Sequence, residues 1–119
     1  MSLFKGFSAF PITPCDSSGC VNSFALGGIL ETLVAAGVDS IGLLGSTGTY
    51  VFQTREERQR AIKTAVDVLD KQVPLMVGVG SLRTDEAVTF ARDAQDAGAD
   101  AILLAPVSYI PLKIGRAHV

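Results

Sequence analysis

The stretch Ile41-Gly42-Leu43-Leu44-Gly45-Ser46-Thr47-Gly48-Thr49-Tyr50 decides how this chain is read. It begins as an apolar run and ends as a loop of glycines and hydroxyls. Behind it, Gln53-Thr54-Arg55-Glu56-Glu57-Arg58 reads as the start of a helix. The unit is therefore strand, hydroxyl-bearing loop, helix. Lacking a Cβ, Gly45 and Gly48 let backbone N–H groups come close to a ligand, while Ser46 and Thr47 each add a hydroxyl donor. At the carboxyl end of a parallel strand, such a loop suits a small carboxylate or a phosphate. An ordinary glycine-rich βα turn has the same composition, so the neighbouring sequence has to decide between the two.

Outward from that stretch the pattern repeats. Phe7 to Ile12 reads as a first strand, interrupted by Pro11 and ended by Thr13-Pro14. Cys15 to Gly19 carries turn chemistry. Asn22 or Ser23 caps a helix reaching about Ala36, with Phe24, Leu26, Ile29, Leu30, Leu33 and Val34 at helical spacing. Gly37 stands where a helix end favours glycine. Val38 to Leu44 is the second strand. Thr54, with Glu57 three residues on, forms a capping-box pattern for a second helix to about Asp70, with Ile62, Ala65, Val66 and Leu69 inward. Pro74 to Val79 is a third strand, and Gly80-Ser81 opens a loop. Thr84 caps a third helix bearing Asp85 and Glu86 in its first turn, where the dipole favours anions. Phe90, Ala91, Ala94 and Ala97 continue that helix to Gly98. Ala101 to Ala105 is a fourth strand before Pro106.

The order is βαβαβαβ. Strands without polar alternation belong to parallel sheets covered by helices. An internal repeat supports this: Ala36-Gly37-Val38-Asp39-Ser40-Ile41 matches Ala97-Gly98-Ala99-Asp100-Ala101-Ile102, two βα units further on. Half of an eight-stranded barrel and a flavodoxin-like open sheet both fit, and periodicity alone does not separate them.

With 119 residues the chain has room for one domain at most. A hydrophobic content of 48% and a charged content of 18% fit a buried α/β core. The net charge of -2, with no basic run, gives no support to nucleic-acid or anionic-membrane binding. The start does not read as a signal peptide and no stretch approaches a spanning helix, so a cytoplasmic location is expected. Cys15 and Cys20 share one loop without a second Cys/His pair, which makes them free thiols rather than zinc ligands; no metal is expected.

Four features occur in order at family-like spacing. They are Thr13-Pro14 after strand one, Gly45-Ser46-Thr47-Gly48 after strand two, the Thr54-x-Glu56-Glu57-Arg58 helix start, and Gly78-Val79-Gly80-Ser81 after strand three. Over about residues 4 to 112 the chain resembles the N-terminal half of the dihydrodipicolinate synthase / N-acetylneuraminate lyase family. That resemblance implies an α/β fold, the N-terminal half of a (β/α)8 TIM barrel with four parallel strands and three helices. It also implies a parent enzyme of the class I aldolase type, which joins a lysine to pyruvate or another 2-oxo acid as a Schiff base without a cofactor and assembles as a homo-oligomer. By the same resemblance Gly45, Ser46, Thr47 and Gly48 hold the 2-oxo acid carboxylate, and Ser46 takes part in a proton relay. A carboxylate only accepts hydrogen bonds and so needs convergent donors.

The chain departs from the family pattern in two places. Thr49 stands where glutamate is usual. Pro106-Val107-Ser108-Tyr109 replaces Pro-Tyr-Tyr and leaves Tyr109 one place late for a synthase-type relay. This favours a related 2-oxo acid lyase or aldolase over the lysine-biosynthesis enzyme. The Schiff-base lysine belongs to strand six and its partner tyrosine to strand five, beyond this chain. Lys5, Lys63, Lys71 and Lys113 are not at that position, and Lys63 and Lys71 read as solvated charges of helix two. The hexapeptide Ile114–Val119, containing the sole histidine, His118, resembles a translated sequencing adapter. Residues 1–113 are thus expected to form the partial barrel, and 114–119 to be a non-native tail of a truncated gene. The competing readings are a non-catalytic half-barrel that binds a partner or a small anion, and a barrel half with phosphate at Gly78 to Ser81.

Overall fold

The computed structural model describes residues 5–105. It contains four strands and three α-helices in alternation: β1 (Ser8–Ala9), α1 (Ser23–Ala35), β2 (Ser40–Leu43), α2 (Arg55–Leu69), β3 (Leu75–Gly78), α3 (Thr84–Ala97) and β4 (Ala101–Leu103). A short 3₁₀ turn, Tyr50–Phe52, precedes α2. The strands are shorter than the sequence pattern implies, because hydrogen-bonded pairing covers only part of each apolar run. All pairings are parallel and the strand order is β1-β2-β3-β4. An open doubly wound sheet of the flavodoxin type begins 2-1-3, whereas consecutive order is what successive units of a (β/α)8 barrel make.

The register separates two faces. Ala9 pairs with Ile41, Ile41 with Leu75, and Leu43 with Val77. These side chains pack with Leu26 and Leu30 of α1, Ala61, Ile62, Ala65 and Leu69 of α2, and Ala94 of α3. Each fully buried leucine, isoleucine or valine in this layer contributes about 1.5–3 kcal/mol relative to exposure. The opposite face carries small residues at Ser8, Ser40, Gly42, Gly78 and Ala101 beside Met76 and Leu103. Ser8 and Ser40 pair there and share a hydroxyl–hydroxyl hydrogen bond. A Cβ on Gly42 would meet the Phe10 ring at 2.2 Å.

The helix starts match their capping patterns unevenly. Asn22 Oδ1 accepts the Ala25 N–H at 3.0 Å and Thr54 Oγ1 accepts the Glu57 N–H at 3.2 Å, so the caps of α1 and α2 form as expected. The reciprocal half of the α2 capping box is replaced. The buried Glu57 carboxylate accepts the Val21 N–H at 2.6 Å instead, tying α2 to the approach of α1. Thr84 is not a cap: it is the first helical residue of α3, and Arg83 holds the cap position without a side-chain bond. There the Ser81 hydroxyl takes the Arg83 N–H at 3.4 Å and the Asp85 carboxylate takes the Glu86 N–H at 3.0 Å. Phe24, one of the apolar positions at helical spacing in α1, is 93% exposed; it falls on the first turn, ahead of the buried Leu26 and Leu30. Gly37 and Gly98 follow α1 and α3 with φ of +88° and +106°, the left-handed conformation those ends require. Lys71 lies beyond the end of α2 rather than on it.

The repeated Gly-x-Asp junction has one structural role in both copies. The backbones of Asp39 and Asp100 donate to the carbonyls of Phe7 and Leu75 at 2.8 Å each. Their carboxylates accept the N–H groups of the same residues, at 2.6 and 2.8 Å. Each aspartate thus closes a two-bond ring onto the strand beside it, extending the ladder by one polar pair at the amino end of the sheet.

Candidate functional site

Strand β2 delivers the glycine–hydroxyl loop at its carboxyl end. Leu44 leaves the strand with φ +56°, in the left-handed region, and Thr49 adopts the same φ before the 3₁₀ turn. Between these two bends the chain runs Gly45-Ser46-Thr47-Gly48, closed by a Thr49 N–H to Ser46 carbonyl bond of 3.1 Å. Gly45 and Gly48 are buried, while Ser46 and Thr47 are exposed. The loop thus presents Ser46 and Thr47 to solvent while its two glycines are packed inward. The Thr49 hydroxyl is turned back, donating to the Gly48 carbonyl at 2.7 Å and accepting from the Gln53 amide at 3.4 Å. Thr49 therefore acts as a loop brace.

The neighbouring strand supports the loop by close contact. A Cβ on Gly78 would fall 2.0 Å from the Leu44 carbonyl oxygen, and one on Gly80 3.0 Å from the Tyr50 ring. Close packing accounts for both glycines of the Gly78-Val79-Gly80-Ser81 motif. Only glycine at 78 lets β3 come this near the bend at Leu44.

Arg58 is the residue whose weight the sequence reading missed. Only 5% of it is exposed. Its guanidinium donates to three backbone carbonyls: Tyr50 at 2.8 Å, Gly80 at 3.1 Å and Gln53 at 3.3 Å. It lies over the Phe90 ring, 3.9 Å from the centroid. Among the described residues no carboxylate pairs with it. Burial holds its pKa below the ordinary arginine value, opposed by Tyr50 and Glu86. Arg58 straps the end of the β2 loop to the start of the β3 loop. The signal was present in the sequence, since 58, 62, 65 and 69 form one helical stripe and its other members are apolar.

Beside Arg58, between α2 and α3, lies an open cleft of about 370 Å³ that includes Gln53, Ser81, Glu86 and Phe90 but neither Ser46 nor Thr47. Arg55 crosses the same two helices, donating to both Asp93 oxygens at 2.8 and 3.0 Å. That hydrogen bond and charge raise its pKa.

The remaining candidates are not brought to the loop. Lys5 and Lys63 are exposed. Lys71 precedes β3, at the amino end of the sheet, 4.0 Å from Asp100. Cys15 and Cys20 are free and exposed, and no group of three or more potential metal ligands occurs among the described residues. Among those residues no helix is long and apolar enough to cross a membrane. Tyr109, Lys113, His118 and the segment 114–119 lie outside the described residues.

Comparison with known proteins agrees with this architecture. The sequence model of the dihydrodipicolinate synthetase family matches residues 3–113. The chain belongs to the dihydrodipicolinate synthetase family.

Within that family, the chain is 36% identical over 119 residues to a 4-hydroxy-tetrahydrodipicolinate synthase from Salinibacter ruber, covering 98% of this chain and 39% of the relative. The crystal structure of dihydrodipicolinate synthase from Agrobacterium tumefaciens superposes with a TM-score of 0.91 at 58% identity, over 96% of this chain and 38% of that one. A dihydrodipicolinate synthase from Acinetobacter baumannii, solved in complex with pyruvate, is similar at a TM-score of 0.84 and 32% identity, over 89% of this chain and 36% of that one. The chain therefore spans under two-fifths of the length of these relatives, and its four parallel strands and three helices are the first half of a (β/α)8 barrel.

Proposed function

We propose that this chain is the N-terminal part of a Schiff-base-forming 2-oxo acid lyase or aldolase, and that it supplies the carboxylate-binding half of the active site. One observation carries the reading: the Gly45–Gly48 loop stands at the carboxyl end of β2 with Ser46 and Thr47 exposed and its glycines buried. Active sites of (β/α)8 barrels lie at that end of the strands. Two hydroxyls and the adjoining N–H groups match the acceptor-only chemistry of a carboxylate. The name of the pyruvate-bound Acinetobacter relative supports pyruvate as the ligand class.

In the parent enzyme a lysine amine condenses with the ketone of the 2-oxo acid, releasing water and leaving an imine. Loss of a proton gives the enamine that forms or results from cleavage of the bond to an aldehyde or imine. This chain's own residues perform the binding step. Ser46 and Thr47 fix the carboxylate so that the ketone faces the amine, and Ser46 also stands where a proton would be relayed. Residues 1–113 are the partial barrel, 114–119 lie outside it, and no lysine of the chain serves as the Schiff-base residue. The parent is a cytoplasmic homo-oligomer that needs neither metal nor organic cofactor.

The test has two parts. Pyruvate raises the melting temperature of the chain, and S46A/T47A abolishes that rise. Borohydride reduction in the presence of pyruvate leaves the chain mass unchanged. A stable adduct on Lys63 or Lys71 would overturn the assignment. A second reading, a non-catalytic half-barrel that binds a small anion, shares the first result. It is distinguished by whether a longer product of the gene traps pyruvate under borohydride.

A further inference from the structure

Thr13 lies in the segment between β1 and α1 and is 7% exposed. Its Oγ1 is buried and, alone among buried side-chain oxygens and nitrogens of the described residues, has no hydrogen-bond partner. The backbone around it is anchored. The Thr13 carbonyl takes the Cys15 thiol at 3.4 Å, and the Pro14 carbonyl takes the Asn22 N–H at 2.8 Å at the start of α1. The hydroxyl is therefore held in place by bonds it does not itself make. An unpartnered buried hydroxyl costs stability, and valine would fill the same space without that cost. A buried hydroxyl without a partner has bonding capacity that another state of the molecule can use.

The place of the orphan atom points to that state. A Cβ on Gly48 would stand 3.1 Å from Thr13 Oγ1, and equally 3.1 Å from the backbone of Leu44. The hydroxyl thus abuts the underside of the loop whose upper side carries Ser46 and Thr47. Among the described residues, the N–H groups of Ser46, Thr47 and Gly48 make no backbone hydrogen bond. Loop and hydroxyl hold unused hydrogen-bonding capacity on either side of one glycine.

We infer that Thr13 is a positioning residue of the carboxylate loop. When the loop tightens on a bound 2-oxo acid, Thr13 Oγ1 gains a hydrogen bond from the loop backbone at Gly48, so the hydroxyl stabilises the liganded state and not the empty one. This rests on the carboxylate reading of the loop.

The experiment compares the full chain with T13V and T13S by thermal unfolding and by calorimetric titration with pyruvate. Without pyruvate, T13V melts at or above the wild-type temperature. With pyruvate, T13V binds about tenfold more weakly, and T13S, which keeps the hydroxyl, restores the affinity. A T13V chain that melts lower or fails to fold without pyruvate overturns the inference, because the hydroxyl then serves the empty fold. So does a T13V chain that binds pyruvate as tightly as wild type. If the wild-type chain binds no pyruvate, the carboxylate reading itself fails, a result distinct from the other two. The same variants in a whole barrel, residues 1–105 of this chain joined to the remaining units of the Agrobacterium relative, give a kinetic readout. The loss then falls on the pyruvate KM with kcat largely kept, and an equal fall in kcat alone counts against the inference.

Discussion

Asp39 and Phe7 are joined twice: the Asp39 N–H donates to the Phe7 carbonyl at 2.8 Å, and the Asp39 carboxylate accepts the Phe7 N–H at 2.6 Å. Asp100 and Leu75 repeat the arrangement two strands further on, between β3 and β4. In a parallel sheet, the first residue of a strand leaves one side of its ladder open. A carboxylate carried on the adjacent strand fills the gap, and a side chain one methylene longer or shorter would not reach it in the same way.

Removing either carboxylate should therefore loosen the amino end of the sheet without touching the loop. D100A is expected to cost about 1–2 kcal/mol, leaving the Leu75 N–H short of its partner. D100E should recover little of this. Urea unfolding at neutral pH measures both. Unchanged stability in D100A would show that water replaces the carboxylate at no cost.

Arg58 should prove the most sensitive charged position. R58M keeps the apolar stem but strands three carbonyl acceptors, with an expected loss of about 2–4 kcal/mol. R58K is not a rescue, because an ammonium cannot span Tyr50, Gln53 and Gly80 from one planar fork. Chemical denaturation of the three proteins, with amide exchange at residues 50 to 53, checks this. Retained protection in R58M would contradict the strap.

Two glycines of the inner face should differ sharply although both are crowded. G78A sets a Cβ 2.0 Å from a backbone carbonyl, which cannot move without shifting β2, and should cost more than about 3 kcal/mol. G42A meets the ring of Phe10, a side chain 40% exposed that can swing outward, and should cost less than half as much. Melting temperatures of the pair decide the order.

At the far end of α2, Asp70 and Lys71 both hold positive φ, +45° and +65°. Lysine gains nothing from that conformation except a distant contact of 4.0 Å with Asp100. K71G should raise stability by roughly 0.5 kcal/mol, the relief of left-handed strain exceeding the added freedom of the unfolded chain. A lower melting temperature would mean that the ion pair outweighs the strain.

Much of this fold was legible in the order of residues. The helices α1, α2 and α3, the caps at Asn22 and Thr54, the glycines at 37 and 98 and the parallel character of the strands all follow from local chemistry: helical stripes, short polar caps, and apolar runs without alternation. The repeated Gly-x-Asp junction and the Gly45–Gly48 loop were visible for the same reason, because each is a contiguous motif whose residues act on their own backbone.

What the tertiary structure alone decided involves partners far apart in the chain. Capping statistics send Glu57 back to its own helix start, but its carboxylate takes the buried N–H of Val21 instead. Thr84 resembles a cap, yet the loop after β3 brings Arg83 to that position. Arg58 looks like one more charge in a helix start until β3 brings the Gly80 carbonyl beneath it. Strand order, which separates the barrel from the open sheet, depends on which edge each βα unit joins, and periodicity does not encode that. The hydroxyl of Thr13 belongs to the same group: its isolation is a property of the packed loop above it, since burial of a polar atom is defined only when distant segments have met.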